Sequence, residues 1–482
     1  MTAANTFGQQ TSSTDAVELK RALNKVSIRL LPFLFLLYVV AYLDRVNVGF
    51  AALQMKSALH FSDSVYGFGA GVFFVGYLFF QLPSNLALMR FGARRWLGVI
   101  IFCWGLISSC TMFVHSPASF YLFRFSLGAA EAGFFPGVLL YLTYWFPAAA
   151  RARTVSWFMI GMPVSGIIGG PISGALLSIH GAGHLAGWQW LFLIEGLPAI
   201  ILGMLVRFVL TDKPRDAEWL SAEERATLLF AVERDALSPS QSRATPVDAD
   251  LLSLLAPSRE ESAEGPVQAC PELRRVCEPQ SRRPILLDVI TRRETWLLCA
   301  AYFTLLWSSL GISLWLPELV KNFSGFSDRM VGVLSAVPYI FAAATMAFVG
   351  VRSDKSRQPH LHFAASAFAG ATGFFFSVHA HNVLVSTILL SISVAGVYSA
   401  FGPFWAMPGK FYSGATAAAG IAFINSLGNL GGLFGPYVTG IAKQHTGSFA
   451  VGTIILGAVL CLSGVLALVV KTTQSAQKSY SA

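Results

Sequence analysis

The sequence predicts an all-α membrane protein with 12 transmembrane helices in two six-helix, pseudo-symmetric halves. Three observations predict this fold class: the number and length of the apolar segments, the distribution of basic residues, and an internal repeat. Hydrophobic residues make up 54% of the 482 residues, and charged residues make up only 12%. That balance is typical of chains that cross a bilayer many times, and it argues against a soluble domain.

The apolar segments are long enough to cross a membrane, because about 20 helical residues span its hydrocarbon core. Twelve such segments cover residues 28–53, 66–88, 96–114, 119–143, 154–179, 188–210, 296–320, 328–351, 361–379, 383–407, 413–441 and 447–470. The expected domains are a cytoplasmic N-terminal tail, a bundle, a cytoplasmic linker, a second bundle and a cytoplasmic C-terminal tail. Their ranges are 1–27, 28–210, 211–295, 296–470 and 471–482.

Basic residues collect in the short loops on one side of the predicted membrane. Those loops contain Arg90, Arg94, Arg95, Arg151, Arg153, Arg352, Lys355, Arg357 and Lys410, whereas the opposite loops contain Lys56, Lys321, Arg329 and Lys443. Such a bias marks the cytoplasmic side of a membrane protein. The net charge of +9 therefore reflects orientation, and we expect no binding to nucleic acid.

The chain repeats itself at an offset of 265 residues. Phe61-Ser62-Asp63 matches Phe326-Ser327-Asp328 at this offset. The same offset pairs Lys56 with Lys321, Gly67 with Gly332, Gly105 with Gly370, Gly137 with Gly402, Gly166 with Gly431, Gly170 with Gly435 and Pro171 with Pro436. One constant offset through several spans predicts two parallel halves, an arrangement that alternates access to a central site by rocking.

A polar linker joins the two predicted halves. Ser221 and Glu224 have the spacing of a capping box at the start of a short helix. Residues 238–284 are rich in Pro, Ser, Glu and Arg and are expected to be disordered. Residues Ile285 to Thr295 are expected to form an interfacial helix. We interpret the linker as a tether, and the alternative is a regulatory segment.

Four charged residues lie inside predicted spans: Asp44 and Arg45 in the first, Arg124 and Glu131 in the fourth. Each charge at the centre of a membrane helix costs roughly 2.5–3.5 kcal/mol on insertion scales. These side chains must therefore face each other, water or a substrate. At the repeat offset they correspond to Ser309, Leu310, Leu389 and Gly396, so only the first half has these charges.

The spacing of these residues suggests how they divide the chemistry. Arg124 and Glu131 are seven residues apart, which places both on one helix face about 10.5 Å apart along the axis. Arginine suits carboxylate binding because its planar fork donates two parallel hydrogen bonds, and a desolvated glutamate is suited to proton transfer. Asp44 and Arg45 are adjacent and point about 100° apart. The alternative for all four residues is a structural role in helix packing.

Polar and aromatic residues of both halves are further candidates for substrate contact. Asn425 and Asn429 in span eleven are candidate hydrogen-bond donors, and the alternative is a bond to a neighbouring helix. Tyr77 and Trp405 are candidate cavity residues, although membrane tyrosine and tryptophan also serve in packing and as interface anchors. Glu195 in span six is interpreted as structural. Met159, Met162, Pro163, Phe134, Phe135 and Phe404 provide apolar surface, which favours an aromatic dicarboxylate over a sugar acid.

Several stretches resemble the major facilitator superfamily, and within it the anion:cation symporter family. They are Leu43-Asp44-Arg45, the segment from Arg124 to Gly133 that includes Glu131, and the segment from Asn425 to Pro436. Gly350, Asp354, Lys355 and Arg357 resemble the superfamily's cytoplasmic loop signature, which implies a role in gating. In the first half the aspartate of that signature is replaced by Met89. The resemblance is to bacterial tartrate, phthalate and sugar-acid permeases, which implies a multi-pass protein of the bacterial inner membrane.

The family resemblance implies that Arg45 and Arg124 bind the substrate and that Asp44 and Glu131 couple its movement to protons. The predicted function is proton-coupled symport, in the direction of uptake, of a small organic anion such as a mono- or dicarboxylate. The alternative is an exchanger of organic anions or organophosphates without proton coupling, because two arginines also suit phosphate. The two acids favour symport, since an exchanger needs no proton carrier.

The expected partners are the organic anion, protons and the lipid bilayer. One chain completes an alternating-access unit, so we expect a functional monomer. We do not expect an enzyme, a cofactor or a metal site, because no span contains a Ser/His/Asp set or a metal-ligand cluster.

Overall fold

In the computed structural model, the described residues are 2–147, 150, 154–155, 158–179, 182–237, 285–412 and 414–480. This part of the chain is helical and contains no strand. The helices of the first half are α1 (Thr2–Ala58), α2 (Asp63–Phe91), α3 (Ala93–Cys110), α4 (Pro117–Glu131), α5 (Phe134–Trp145), α6 (Gly161–Leu177) and α7 (Gly187–Val209). The linker contributes α8 (Ala222–Leu237) and α9 (Ile285–Thr291). The second half contains α10 (Arg293–Ser324), α11 (Asp328–Ser356), α12 (Pro359–Ser377), α13 (Val383–Ala406), α14 (Gly414–Asn429), α15 (Gly431–Thr446) and α16 (Ala450–Tyr480).

The predicted all-α fold class is confirmed. Nine helices of the described residues are long and apolar enough to cross a membrane, with α4 and α5 together forming one of them. The other three of the twelve predicted crossings fall on α6, on α12, and on α14 with α15. The architecture is therefore that of a multi-pass membrane protein.

Some helix bounds differ from the apolar segments. Helix α1 begins at Thr2 and includes residues that the sequence assigns to a tail, and α16 continues to Tyr480. The fourth span is broken after Glu131, and its second part begins at Phe134. A Cβ atom at Gly133 would overlap the side chain of Ser84. The absence of a side chain at Gly133 thus lets Ser84 of α2 lie close to the chain beside Glu131.

The two halves meet along two equivalent helix pairs, α2 with α15 and α6 with α11. A Cβ atom on Gly67 would lie 2.6 Å from the carbonyl oxygen of Pro436. A Cβ atom on Gly170 would lie 2.5 Å from the carbonyl oxygen of Gly332. Only glycine allows backbones this close. The predicted repeat maps one helix pair onto the other.

A cluster of ion pairs joins the halves at the end of the molecule that the charge bias assigns to the outside, which we call the outer end. Lys56 pairs with Asp63 within the first half, and reaches Glu318 of the second half at 2.6 Å. Lys443 lies 3.2 Å from Asp63 and 2.8 Å from Glu318. Two lysines and two carboxylates therefore hold the outer end closed.

The linker packs against the extension of α1. The predicted capping box is present: the Ser221 amide donates to Glu224 at 3.0 Å, and the Glu224 amide donates to the Ser221 hydroxyl at 3.1 Å. Lys25 of α1 lies 2.6 Å from Glu224. Residues 238–284, predicted to be disordered, lie outside the described residues. Helix α9 occupies the first part of the predicted helix at Ile285 to Thr295.

Candidate functional site

A cavity lies between the two halves, midway along the long helices. It contains about 600 Å³ of space that is partly open to solvent. Its walls are mostly aromatic and apolar, with three polar side chains besides the tyrosines. The lining residues are Tyr38, Ala41, Tyr42, Arg45, Phe74, Tyr77, Phe134, Phe135, Met159, Met162, Tyr302, Leu306, Leu310, Phe401, Asn425 and Asn429.

Arg45 is the charged group that faces this cavity. Its Nη2 donates to Oε2 of Glu131 at 2.8 Å. The Arg45 side chain is 17% exposed, whereas that of Glu131 is fully buried. The rings of Tyr42, Phe73 and Tyr77 lie 5.1–5.8 Å from the guanidinium carbon. The aromatic rings therefore hold a cation at the wall with one carboxylate as its partner.

Arg124 lies behind Arg45, away from the cavity. It is 1% exposed, and its Nη2 donates to the backbone oxygens of Ala70 at 3.3 Å and Arg45 at 3.4 Å. Its guanidinium carbon lies 5.1 Å from the centre of the Phe73 ring, the ring that Arg45 also contacts. Arg124 Nε and Nη1 find no hydrogen-bond partner in the described part of the chain. In this conformation Arg124 supports the backbone that presents Arg45.

Asp44 points away from the cavity into the first half. The hydroxyl of Ser108 donates to its Oδ1 at 2.8 Å, and the indole of Trp104 donates to its Oδ2 at 3.2 Å. The residue is fully buried. The structure thus places Asp44 and Arg45 on different sides of α1, as their adjacency predicts.

The predicted residues of the second half are divided between the cavity and its surroundings. Asn425 and Asn429 both line the cavity, and the Asn429 amide donates to the Asn425 backbone oxygen at 2.7 Å. Trp405 does not line it; its ring packs 5.0 Å from that of Tyr302 and 5.2 Å from that of Phe404. Trp405 is therefore placed as support for the aromatic wall.

The predicted gating residues lie far from the cavity lining, at the C-terminal end of α11. Asp354 and Lys355 are exposed. Arg357 ends the helix in the left-handed conformation, with φ of 55°. A Cβ atom on Gly350 would meet no atom within 4 Å.

Sequence reasoning missed the tyrosines that join the halves at the cavity. The hydroxyl groups of Tyr42 and Tyr398 are 3.0 Å apart, and that of Tyr398 is 3.2 Å from the Ser313 hydroxyl. The available signal was that Tyr42 precedes Arg45 by three residues and so shares its helix face. Tyr398 gave no comparable signal, because its neighbours in sequence are apolar or small.

The described residues contain no group of three or more His, Cys, Asp or Glu able to hold a metal ion. A cavity between two pseudo-symmetric halves, closed at one end and containing a buried ion pair, is the architecture of an alternating-access membrane transporter. The site therefore defines the class of protein as a transporter of small molecules.

The chain belongs to the Major Facilitator Superfamily, whose family model matches residues 34–436. It is 42% identical over 453 residues to a putative tartrate transporter of Agrobacterium vitis, covering 94% of this chain and 95% of the relative. It is 36% identical to a quinolone resistance transporter of Acinetobacter baumannii, covering 95% and 97% of the two chains. These relatives are transporters and not enzymes.

Solved structures have the same fold. An inward-facing, occupied bacterial homologue of the human lysosomal transporter Spinster superposes with a TM-score of 0.69 at 14% identity, covering 92% of this chain and 96% of that structure. The chain is thus a multi-pass transporter with the fold of its superfamily.

Proposed function

We propose that this protein takes up a small organic anion together with protons, as a member of the anion:cation symporter family. We place it in the bacterial inner membrane as a functional monomer with both termini in the cytoplasm. The 42% identity to a putative tartrate transporter supports a tartrate-like dicarboxylate as the first substrate to test. The basic loops support the orientation.

The Arg45–Glu131 ion pair is the observation on which this proposal depends. A buried ionised glutamate beside an arginine competes with any anion for that arginine. Protonation of Glu131 removes the competing charge and leaves Arg45 free to bind a substrate carboxylate in the bidentate geometry that its guanidinium favours. Proton binding and anion binding therefore support each other at one arginine.

The cavity walls suggest how the rest of the substrate is held. Asn425 and Asn429 face Arg45 from the second half and suit hydrogen bonds to a second carboxylate or to a hydroxyl group. Tyr77 lies beside Arg45 and offers a further hydroxyl group. A molecule bound to Arg45 and to the asparagines bridges both halves, so its binding favours their closure around it.

Transport then follows from a change in charge. An anion enters from outside when Glu131 is protonated, with Asp44 as the second proton-binding acid of the first half. The halves close at the outer end through the Lys56, Asp63, Glu318 and Lys443 ion pairs. Loss of the proton to the cytoplasm restores the Arg45–Glu131 pair and releases the anion. We assign Gly350, Asp354, Lys355 and Arg357 to the gate that closes the cytoplasmic end.

A transport assay with Glu131→Gln tests this mechanism. Purified protein in proteoliposomes is given radiolabelled L-tartrate and an inwardly directed proton gradient. We expect wild type to accumulate tartrate, and Glu131→Gln to lose gradient-driven accumulation while it keeps tartrate counterflow. The neutral amide cannot bind and release a proton, but it leaves Arg45 available to the anion.

The matched control is Asp288→Asn, which removes a carboxylate from the half-exposed pair with Arg292. It should transport like wild type. Normal gradient-driven accumulation by Glu131→Gln would overturn proton coupling through this residue. Wild-type uptake that requires an internal counter-anion and ignores the proton gradient would instead identify an exchanger.

A further inference from the structure

A second buried carboxyl group lies outside the substrate cavity, on α7. Glu195 is 3% exposed, and the hydroxyl of Ser173 on α6 donates to its Oε1 at 2.6 Å. Its Oε2 has no hydrogen-bond partner among the described residues. Asn47 of α1 is 1% exposed and lies within side-chain hydrogen-bonding range of this carboxyl group. Neither of its amide atoms makes a hydrogen bond of good geometry within the same part of the chain.

A small cavity adjoins these groups, and both halves of the molecule form its walls. Asn47, Ser165 and Ser173 come from the first half. Ser313 and Tyr339 come from the second half. These polar groups are set among apolar side chains and glycines in the cavity wall, and two of the nearby polar side chains, Asn47 and Glu195, are buried with unpaired atoms. Such a site is built to bind something that supplies hydrogen bonds or charge.

The surrounding charges favour a proton. Glu195 forms no ion pair with any basic residue in the described chain. Helix α6 contains no titratable residue, and α3 contains two arginines at its far end and two cysteines. The charged group of α1 that interacts with Glu195 is another acid, Asp44. An ionised Glu195 would be a buried anion without a counterion, which is costly.

We propose that Glu195 and Asn47 form a second proton-binding site, separate from the Arg45–Glu131 pair. In the protonated state, the Glu195 Oε2–H donates to Oδ1 of Asn47, and one hydrogen bond satisfies two unpaired atoms. The proton binds to a carboxylate oxygen and leaves from the same atom, so no other reactant is needed.

The position of the site determines when this proton exchanges with water. The cavity also includes Gly170, whose backbone contacts Gly332 across the interface between the halves. When the outer end is closed, as in this structure, this contact holds the cavity walls of the two halves together. When the outer end opens, the walls from the two halves separate and external water reaches Glu195. The site therefore loads its proton from outside and retains it while the outer end is closed.

The same site influences Asp44. Asn47 follows Asp44 by three residues, so both lie on the same side of α1. Neutral Glu195 removes a negative charge from the neighbourhood of Asp44, whereas ionised Glu195 would add one. This proposal does not depend on the identity of the substrate, because proton binding at Glu195 is measured without substrate.

Infrared difference spectroscopy on the purified full-length protein in liposomes tests the proposal. At neutral pH, wild type should show a protonated-carboxyl C=O band that Glu195→Gln lacks. Asn47→Ala should keep the band and shift it to higher frequency, because its hydrogen-bond acceptor is lost. A spectrum of Glu195→Gln identical to that of wild type would show that Glu195 is ionised, and would overturn the proposal. Loss of the wild-type band when sodium replaces potassium would identify a metal-cation site and would also overturn it.

Deuterium exchange of the same band tests the gating. In wild type the exchange should be slow, and Glu318→Gln, which weakens the outer ion pairs, should accelerate it by about tenfold, or about 1.4 kcal/mol. Arg292→Gln breaks an ion pair that does not join the halves and should leave the rate unchanged. Equal exchange rates in Glu318→Gln and wild type would overturn control by the outer end.

Discussion

Sequence identifies the charged residues of the site better than it identifies their partners. The apolar surroundings of Arg45, Arg124 and Glu131 single them out, because membrane charges require a partner. The spacing of seven suggests that Arg124 and Glu131 act together on one face. In the structure Glu131 instead pairs with Arg45 of another helix, and Arg124 donates to backbone oxygens. Which side chains meet depends on how α1 and α4 pack, and spacing within one helix does not contain that information.

The surroundings of Arg45 lead to a prediction at the scale of one residue. Arg45→Lys keeps the charge but loses the planar fork and the stacking on the rings of Tyr42, Phe73 and Tyr77. We expect L-tartrate to bind about tenfold more weakly or worse, a loss of about 1.4 kcal/mol or more. Isothermal titration calorimetry on purified protein measures this.

The matched control for that substitution is Arg292→Lys, which makes the same change in a half-exposed pair with Asp288. Its affinity for tartrate should equal that of wild type. Equal affinities for Arg45→Lys and wild type would mean that the charge alone suffices, or that the anion binds elsewhere.

At the scale of elements, the sequence predicts local features such as helix caps. It does not predict contacts between segments that are far apart in the chain. The capping box of α8 was predicted because Ser221 and Glu224 are three residues apart and satisfy each other's backbone amides. The docking of α8 on α1 was not predictable, since Lys25 lies about 200 residues earlier in the chain and an exposed lysine has no pattern of its own. The break between Glu131 and Phe134 was also missed, because the apolar pattern runs through it without interruption.

The contact between α8 and α1 should depend on pH. The hydrogen bond from the Lys25 ammonium group lowers the pKa of Glu224 below the ordinary value of about 4.3 for glutamate. A carboxyl group with a lowered folded-state pKa stabilises the fold above its unfolded pKa, and the contribution is lost as pH falls through the lowered value. We expect amide exchange of α8 to accelerate, relative to its intrinsic rate, as the pH falls below about 4.

Substitutions distinguish the effect of the Lys25–Glu224 contact from the other effects of low pH on amide exchange. At neutral pH, Glu224→Gln should accelerate amide exchange in α8 by about two- to fivefold, as expected for an ion pair near the surface, and should remove the extra acceleration at low pH. Glu233→Gln in the same helix is the control, since this exposed residue forms no ion pair within the described structure. Identical exchange in Glu224→Gln and Glu233→Gln would contradict the contact. Hydrogen–deuterium exchange with mass spectrometry provides the measurement.

At the scale of the whole molecule, the sequence repeat predicts the pseudo-symmetry of the two halves. The structure adds which end of the molecule is closed. The residues paired at an offset of 265, Lys56 with Lys321 and Asp63 with Asp328, form equivalent ion pairs in the two halves. The pattern does not say which end is closed, because alternating states of one sequence differ by only a few kcal/mol. In this structure the outer end is closed by the cross-half ion pairs and by the close contacts of Gly67 and Gly170.

The contact between Gly170 and Gly332 gives a prediction about the balance between those states. In Gly170→Ala the added Cβ would lie 2.5 Å from the Gly332 carbonyl oxygen in the outer-closed state, and both groups are on packed helices. Overpacking of this kind costs about 1–3 kcal/mol, and the cost is relieved when the outer end opens. The equilibrium should therefore shift toward the outer-open state by about tenfold or more, and tartrate transport should slow because the closed state is harder to reach.

Spin labels on Ser57 of α1 and Asn322 of α10, both exposed near the outer end, measure this shift as a distribution of distances between the halves. Gly170→Ala should increase the population of long distances. The control is Gly402→Ala, because a Cβ atom at Gly402 meets no atom within 4 Å, and its distribution should match that of wild type. An unchanged distribution in Gly170→Ala would mean that α6 and α11 separate through a motion that does not relieve this contact, and that the ion pairs of the outer end alone set the balance between the two states.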